Sequence, residues 1–247
     1  MVIKLNTEEI KSIRYKIYVD FKESTGLNDN NIISVRPTHL KILFELYNKN
    51  FLSNYFSEDF IRNMTFSFST KMTKAAGKTI YKRISSNESF EIKLSLNFLK
   101  NYNKTNREKI VSGITTKDVV EAMMIILEHE ICHLIEFYKY KTSSCKTEKF
   151  KILSRNLFGH SDIYHKLPTN SEIFMEKFHI ELGNKVVFKY KGVLLQGTLY
   201  KINKNAVVMV NDDKGAYCDK FNNRYSKYYV PLEQIKKINF KGGDVVD

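Results

Sequence analysis

Residues 115–140 read TTKDVVEAMMIILEHEICHLIEFYKY. Val119, Val120, Met123, Ile126, Leu127, Ile131, Leu134 and Ile135 recur at the spacing of an amphipathic helix with a wide apolar stripe. Thr115 with Asp118 resembles a capping box, so the helix is expected to open there and to run to Tyr140. Inside it lies His129-Glu130-Ile131-Cys132-His133. Two histidines four residues apart project from one helix face, so both imidazoles can reach one metal ion. The intervening Glu130 stands beside the open coordination position. There it can take a proton from the attacking water and return it to a leaving amine. Two histidines and a glutamate in an apolar stripe are costly to bury without such a partner. Zinc is the expected ion, because it accepts imidazole and lowers the pKa of bound water towards about 7. Cys132, beside a ligand but turned away from it, reads as core.

A catalytic zinc usually takes three protein ligands. Glu136, Cys145, His160, Asp162 and His165 are the candidates for the third. Glu136 reads as a solvated helix residue rather than a supporting acid. The helix is expected to end about 10 Å past His133 at a rise of about 1.5 Å per residue. If residues 141–146 reverse the chain, a helix from Thr147 runs back alongside. A return of about 10–16 Å takes roughly 7–11 residues, as far as Ser154–Phe158. His160 then falls near the level of His129 and His133, just past the helix-ending Gly159. Cys145 would sit farther out unless the loop folds inward, and no glycine between His133 and Cys145 eases that fold. His160 is preferred, with Cys145 the alternative.

Upstream, Asn6-Thr7-Glu8-Glu9 opens a helix with Ile10, Ile13, Ile17 and Phe21 on one side, and a second helix is expected from Thr38. Residues 64–98 alternate polar and apolar between turn residues and read as a three-stranded antiparallel meander. From Lys185 onwards short strands and turns follow one another, as in a small barrel. There Lys220, Arg224, Tyr225 and Lys227 interleave cations with aromatics, and Lys185, Lys189, Lys191, Lys201 and Lys204 precede them. Cations neutralise phosphates and exposed rings stack on unpaired bases, so these residues are candidates for nucleic-acid contact. The alternative is a barrel edge whose tyrosines are core and whose lysines guard against edge pairing.

The chain has 247 residues and a formal net charge of +13. The charge suits an acidic partner such as DNA or another nucleic acid, although lysine-rich base composition explains part of it. Three scattered cysteines exclude a disulfide framework and point to the reducing cytoplasm. No apolar run reaches the roughly 18 residues of a membrane span, and no signal peptide is visible.

From Phe44 to His165 the chain resembles the SprT-like (Spartan-like) zinc metallopeptidase domain. The likeness rests on the strands before the helix, His129-Glu130-Ile131-Cys132-His133, Ser144-Cys145-Lys146-Thr147-Glu148-Lys149-Phe150 and Leu157-Phe158-Gly159-His160-Ser161-Asp162. It implies an α+β, zincin-like domain over residues 38–178, preceded by a helical extension over 1–37. A small SH3-like or Tudor-like basic β-barrel would follow over 179–247. The resemblance also implies Zn2+ held by His129 and His133, with Glu130 as general base. The expected substrate is a protein, such as one carried on DNA, in the cytoplasm or at the nucleoid. The family has His-Gly three positions before the aromatic aligned with Phe150, whereas this chain has Lys146-Thr147. An ammonium cannot ligate, so another residue must serve, or the fold persists as a non-catalytic adaptor. Strand Phe90–Leu96 is expected to pair with the substrate chain along its edge.

Overall fold

Asn6 opens the first helix, α1 (Thr7–Thr25). Its side chain accepts from the Glu9 amide while the Glu9 carboxylate accepts from the Asn6 amide. The helix buries Ile10, Ile17 and Phe21, and with them Arg14. α2 (Pro37–Asn50) begins with proline, which has no amide to leave unpaired at a helix start, and buries Leu40, Leu43, Phe44 and Tyr47. The short α3 (Glu58–Arg62), capped by Ser57, follows. The computed structural model describes residues 5–203 and 205–238. Its chain divides into two units, Met1–Pro168 and Thr169–Asp247.

In the first unit, β1 (Thr65–Ser69), β2 (Gly77–Ile84) and β3 (Asn87–Ser95) form a sheet in the order β1-β3-β2. β2 and β3 are an antiparallel hairpin closed by Ser85-Ser86, with Ser85 at φ 55°. β1 runs parallel to β3, with Thr65 opposite Glu91 and Ser69 opposite Ser95. The expected all-antiparallel meander is therefore corrected. Alternation fixes which face each strand buries, but not its partner or direction. β3 is central rather than an edge, so among the described residues the strand with an unpaired side near the helix motif is β2. α4 (Leu96–Asn101) and the hairpin of β4 (Lys109–Val111) and β5 (Ile114–Thr116) lead into α5 (Val119–Tyr140). Thr115 lies in β5, and the cap of α5 is Asp118, whose carboxylate accepts from the Glu121 amide. α5 packs against β2 and β3. α6 (Glu148–Phe158) is capped by Thr147 and ends at Gly159, as expected.

The core of this unit runs without a break from α1 through α5 to Phe158 and Leu167, so residues 5–37 are part of it rather than an appendage. Cys132 is fully buried in it. One charge lies at its centre. Glu128 is 0% exposed. Its carboxylate accepts from Arg14 Nε and Nη2, each at 2.8 Å, and from the Tyr47 hydroxyl at 2.8 Å. Arg14 Nη2 also donates to the Phe158 carbonyl at 2.7 Å. Burial by itself would raise the Glu128 carboxyl, but the Arg14 charge and hydrogen bonds from His160 and Arg14 bring it down to about 2.

In the second unit, α7 (Asn170–Phe178) precedes β6 (Lys185–Tyr190), β7 (Val193–Ile202), β8 (Ala206–Asn211), β9 (Tyr217–Cys218), β10 (Arg224–Val230) and β11 (Lys236–Lys237). These strands pair antiparallel in the order β11-β6-β7-β8-β10-β9. Lys191-Gly192 closes β6 and β7 with both residues at positive φ, 50° and 83°, which matches the twist of a two-residue hairpin. Phe174 of α7 shares a core with Val186, Phe188, Leu199, Val208 and Val230, so α7 belongs to this unit and not to the preceding one.

Arg14→Ala would leave the Glu128 carboxylate buried without its cation. The expected loss is about 3–5 kcal/mol of stability, read by chemical denaturation of the full chain. A loss under about 1 kcal/mol would show that the pair is not a buried one in solution.

Candidate metal centre

His129 and His133 lie one turn apart on α5, with ring centroids 5.0 Å from each other. Phe150, in the first turn of α6, packs against both rings, at 4.9 Å from His129 and 4.4 Å from His133. The third member of the cluster is Cys145. One ligand atom from each of His129, His133 and Cys145 lies within 4.8 Å of the others, and all three residues are half-buried. The loop does fold inward. Lys141 takes the left-handed conformation at φ 61° in place of the glycine the turn would favour, and its amide donates to the Phe137 carbonyl. Its ammonium pairs with Glu88 of β3 at 2.7 Å, which holds the turn against the sheet.

The expectation for His160 is corrected. His160 does follow α6 back along α5, but it overshoots the histidine pair and meets Glu128. It is 2% exposed, with Nε2 2.8 Å from Glu128 Oε2. Engaged by the core carboxylate, it stands outside the cluster. The other candidates are also committed elsewhere. Asp162 Oδ1 accepts from the Ile163 and Tyr164 amides. His165 bridges Val111 and packs edge-on against Phe98 at 4.5 Å. Glu136 is not a solvated residue: it is 5% exposed, and its Oε2 accepts from the Ser143 hydroxyl at 2.5 Å. Ser143 Oγ in turn lies 2.7 Å from His133 Nδ1.

Glu130 is 3% exposed and sits under β2. The Thr79 hydroxyl lies 2.8 Å from its Oε2 and 2.9 Å from its backbone carbonyl. Gly77 makes room for it, since a Cβ there would stand 2.5 Å from Glu130 Oε1 and 2.7 Å from its Cγ. Gly77 and Thr79 read in the sequence as turn and strand residues, with nothing in the pattern tying them to Glu130. Burial pushes the Glu130 carboxyl up to about 7, against the hydrogen bonds from Thr79. Burial, with the neighbouring His133, His160 and His165, lowers His129 to about 3, and burial lowers His133 to about 4. Both imidazoles are thus held neutral, the form in which a ring nitrogen can ligate.

Neutral imidazoles and a cysteine sulfur are donors that zinc takes. Tetrahedral ligands on bonds of about 2.0–2.3 Å stand about 3.3–3.6 Å apart, so side-chain movements of about 1 Å close this cluster onto an ion. Three protein donors leave one position for water or substrate. The three residues could therefore hold a metal ion, and Cys145 rather than His160 is the third member of the group.

In the second unit, Tyr225 and Lys227 share a sheet face with Tyr229 by strand alternation. Tyr217 pairs directly with Tyr225 and joins them. Lys227 Nζ lies 4.0 Å from the Tyr217 ring centre and 6.0 Å from that of Tyr229. The register Lys185–Thr198–Met209–Lys227 places Lys185 on this face as well, with Lys189 four residues along its strand. Arg224 points to the opposite side and donates to the Gly215 carbonyl at 2.9 Å. Lys220 lies in the β9–β10 turn against the exposed Phe221, at 4.9 Å. The Tyr225 hydroxyl donates to Asp219 Oδ2. Lys204 lies outside the described residues. Among the described residues no helix is long and apolar enough to cross a membrane.

Compared with protein-family models, curated proteins and solved structures, the chain matches none.

Purified protein is expected to take up about one zinc per chain. Cys145→Ala should lower zinc affinity more than about 10-fold while leaving the fold intact. His160→Ala should destabilise the fold and retain the zinc. The reverse pattern in metal analysis would restore His160 as the ligand.

Proposed function

We propose that the first unit is a zinc-dependent metallopeptidase of the zincin-like, SprT-like kind, acting on peptide bonds of a protein substrate. The observation that carries this reading is the convergence of His129, His133 and Cys145 on one point, on the same helix segment that holds the Glu130 carboxylate under β2. When bound, zinc supplies Lewis acidity towards water and towards a carbonyl oxygen. His129, His133 and Cys145 would hold it. Glu130 takes a proton at its carboxylate from the attacking water and returns it to the departing amine. Thr79 and Gly77 keep that carboxylate in one place. The unpaired side of β2 can receive an extended substrate chain by backbone pairing, the role first expected of Phe90–Leu96.

The second unit is read as a small basic barrel of the SH3-like or Tudor-like sort. Its Tyr217, Tyr225, Lys227 and Tyr229 face supports contact with single-stranded nucleic acid, through which a DNA-bound protein substrate would be brought to the site. A second reading, a zincin-fold adaptor without catalysis, draws on Lys146 at the position where the family has a ligand histidine.

Glu130→Gln separates the two. Cleavage of an unfolded or DNA-bound protein should fall about 10²–10⁴-fold with zinc content unchanged. A zinc-loaded wild-type protein that cleaves neither substrate favours the adaptor. Lys227→Ala should weaken binding of a single-stranded oligonucleotide and reduce the salt slope by about 0.7, the share of one phosphate contact. An unchanged slope would remove Lys227 from the interface.

A further inference from the structure

We infer that Ser143 and Glu136 are positioning residues that fix the tautomer and orientation of His133, so that its Nε2 is presented to the metal. The inference rests on reading His129, His133 and Cys145 as a metal centre, and it adds two residues that the donor set does not contain.

The argument is a proton count. Ser143 has one hydroxyl hydrogen and two close partners. Glu136 Oε2 lies 2.5 Å away and His133 Nδ1 lies 2.7 Å away. The Ser143 hydroxyl donates to Glu136 Oε2, which uses its one hydrogen. Ser143 Oγ is then left as an acceptor, and the atom facing it, His133 Nδ1, must carry a hydrogen. In a neutral imidazole the other nitrogen, Nε2, then bears the free lone pair, which is the form a metal requires. Metal-bound histidines commonly donate their second nitrogen to a carboxylate or carbonyl, which sets the ring and raises its basicity. Here a serine stands between the histidine and the acid, and the buried carboxylate polarises the hydroxyl that receives the imidazole hydrogen.

The chain layout gives the arrangement its precision. Glu136 lies three residues after His133 on α5, so the two side chains neighbour each other on the helix surface. Ser143 comes from the loop that Lys141 turns back, and Cys145 follows two residues later. One loop thus delivers both the sulfur donor and the group that orients a nitrogen donor. Glu136 is 5% exposed despite lying near the end of a helix with exposed Tyr138 and Tyr140, as expected of an acid held inward by a partner.

The test reads the relay without relying on activity. In the metal-free full-length protein, two-bond proton–nitrogen NMR spectra should show His133 as the Nδ1–H tautomer. Ser143→Ala should shift it to a mixture or to Nε2–H, and Ser143→Thr should restore it. Zinc affinity, measured by competition with a chromophoric chelator, should fall about 10–100-fold in Ser143→Ala and recover in Ser143→Thr. Glu136→Ala should move both readouts in the same direction. If that variant fails to fold, the serine pair still decides. A wild-type His133 in the Nε2–H form, or a Ser143→Ala protein with unchanged tautomer and zinc affinity, overturns the relay. A wild-type protein with the Nδ1–H tautomer that binds no zinc overturns the metal-centre reading instead.

Discussion

The Glu128 carboxylate is the constraint on which the first unit is built. A fully buried charge is tolerable only when its desolvation is offset by a cation and by hydrogen bonds that fill its acceptor sites. Arg14 comes from α1, Tyr47 from α2 and His160 from the chain after α6, and each reaches Glu128 at 2.8 Å. Three separate stretches of sequence must therefore be in register with one position of α5 before the charge is paired. The next residue is His129 and the one after it Glu130. Locking the rotation of α5 at Glu128 thus also aims the histidine pair towards α6 and Glu130 towards β2.

A second constraint is local. The α5–α6 loop must turn sharply enough to bring Cys145 over the histidines. The turn is made by Lys141 in a backbone region that a residue with a Cβ enters only at some cost. The Glu88 ion pair and the Phe137 carbonyl hold Lys141 there. Phe150 then fills the space beneath both imidazoles. The centre is thus assembled from one helix face, one strained turn and one aromatic.

Several features could be read from the chain alone because they are local. The opening of α1, the extent of α5 to Tyr140, the end of α6 at Gly159 and the burial of Cys132 all follow from residue chemistry at short range. The pairing of His129 with His133 belongs with them, since helix periodicity is enough to place both rings on one face. Other expectations failed for a common reason. The direction of β1, the central position of β3, the capture of His160 by Glu128 and the burial of Glu136 all depend on which distant segment packs alongside. Glu128 carried a faint signal, as an acid in an otherwise apolar stretch of helix, but its partners lie 32, 81 and 114 residues away.

The sequence by itself determined the chemistry on offer: two imidazoles on one helix face with a carboxylate between them in the chain, a thiol and a third imidazole downstream, and a basic, tyrosine-rich β segment. The tertiary structure decided between the thiol and the third imidazole. Both lie within reach of the helix when counted in residues. Only the direction of the turn at Lys141 and the demand of a buried carboxylate for a hydrogen-bond partner place Cys145 beside the two histidines and His160 in the core.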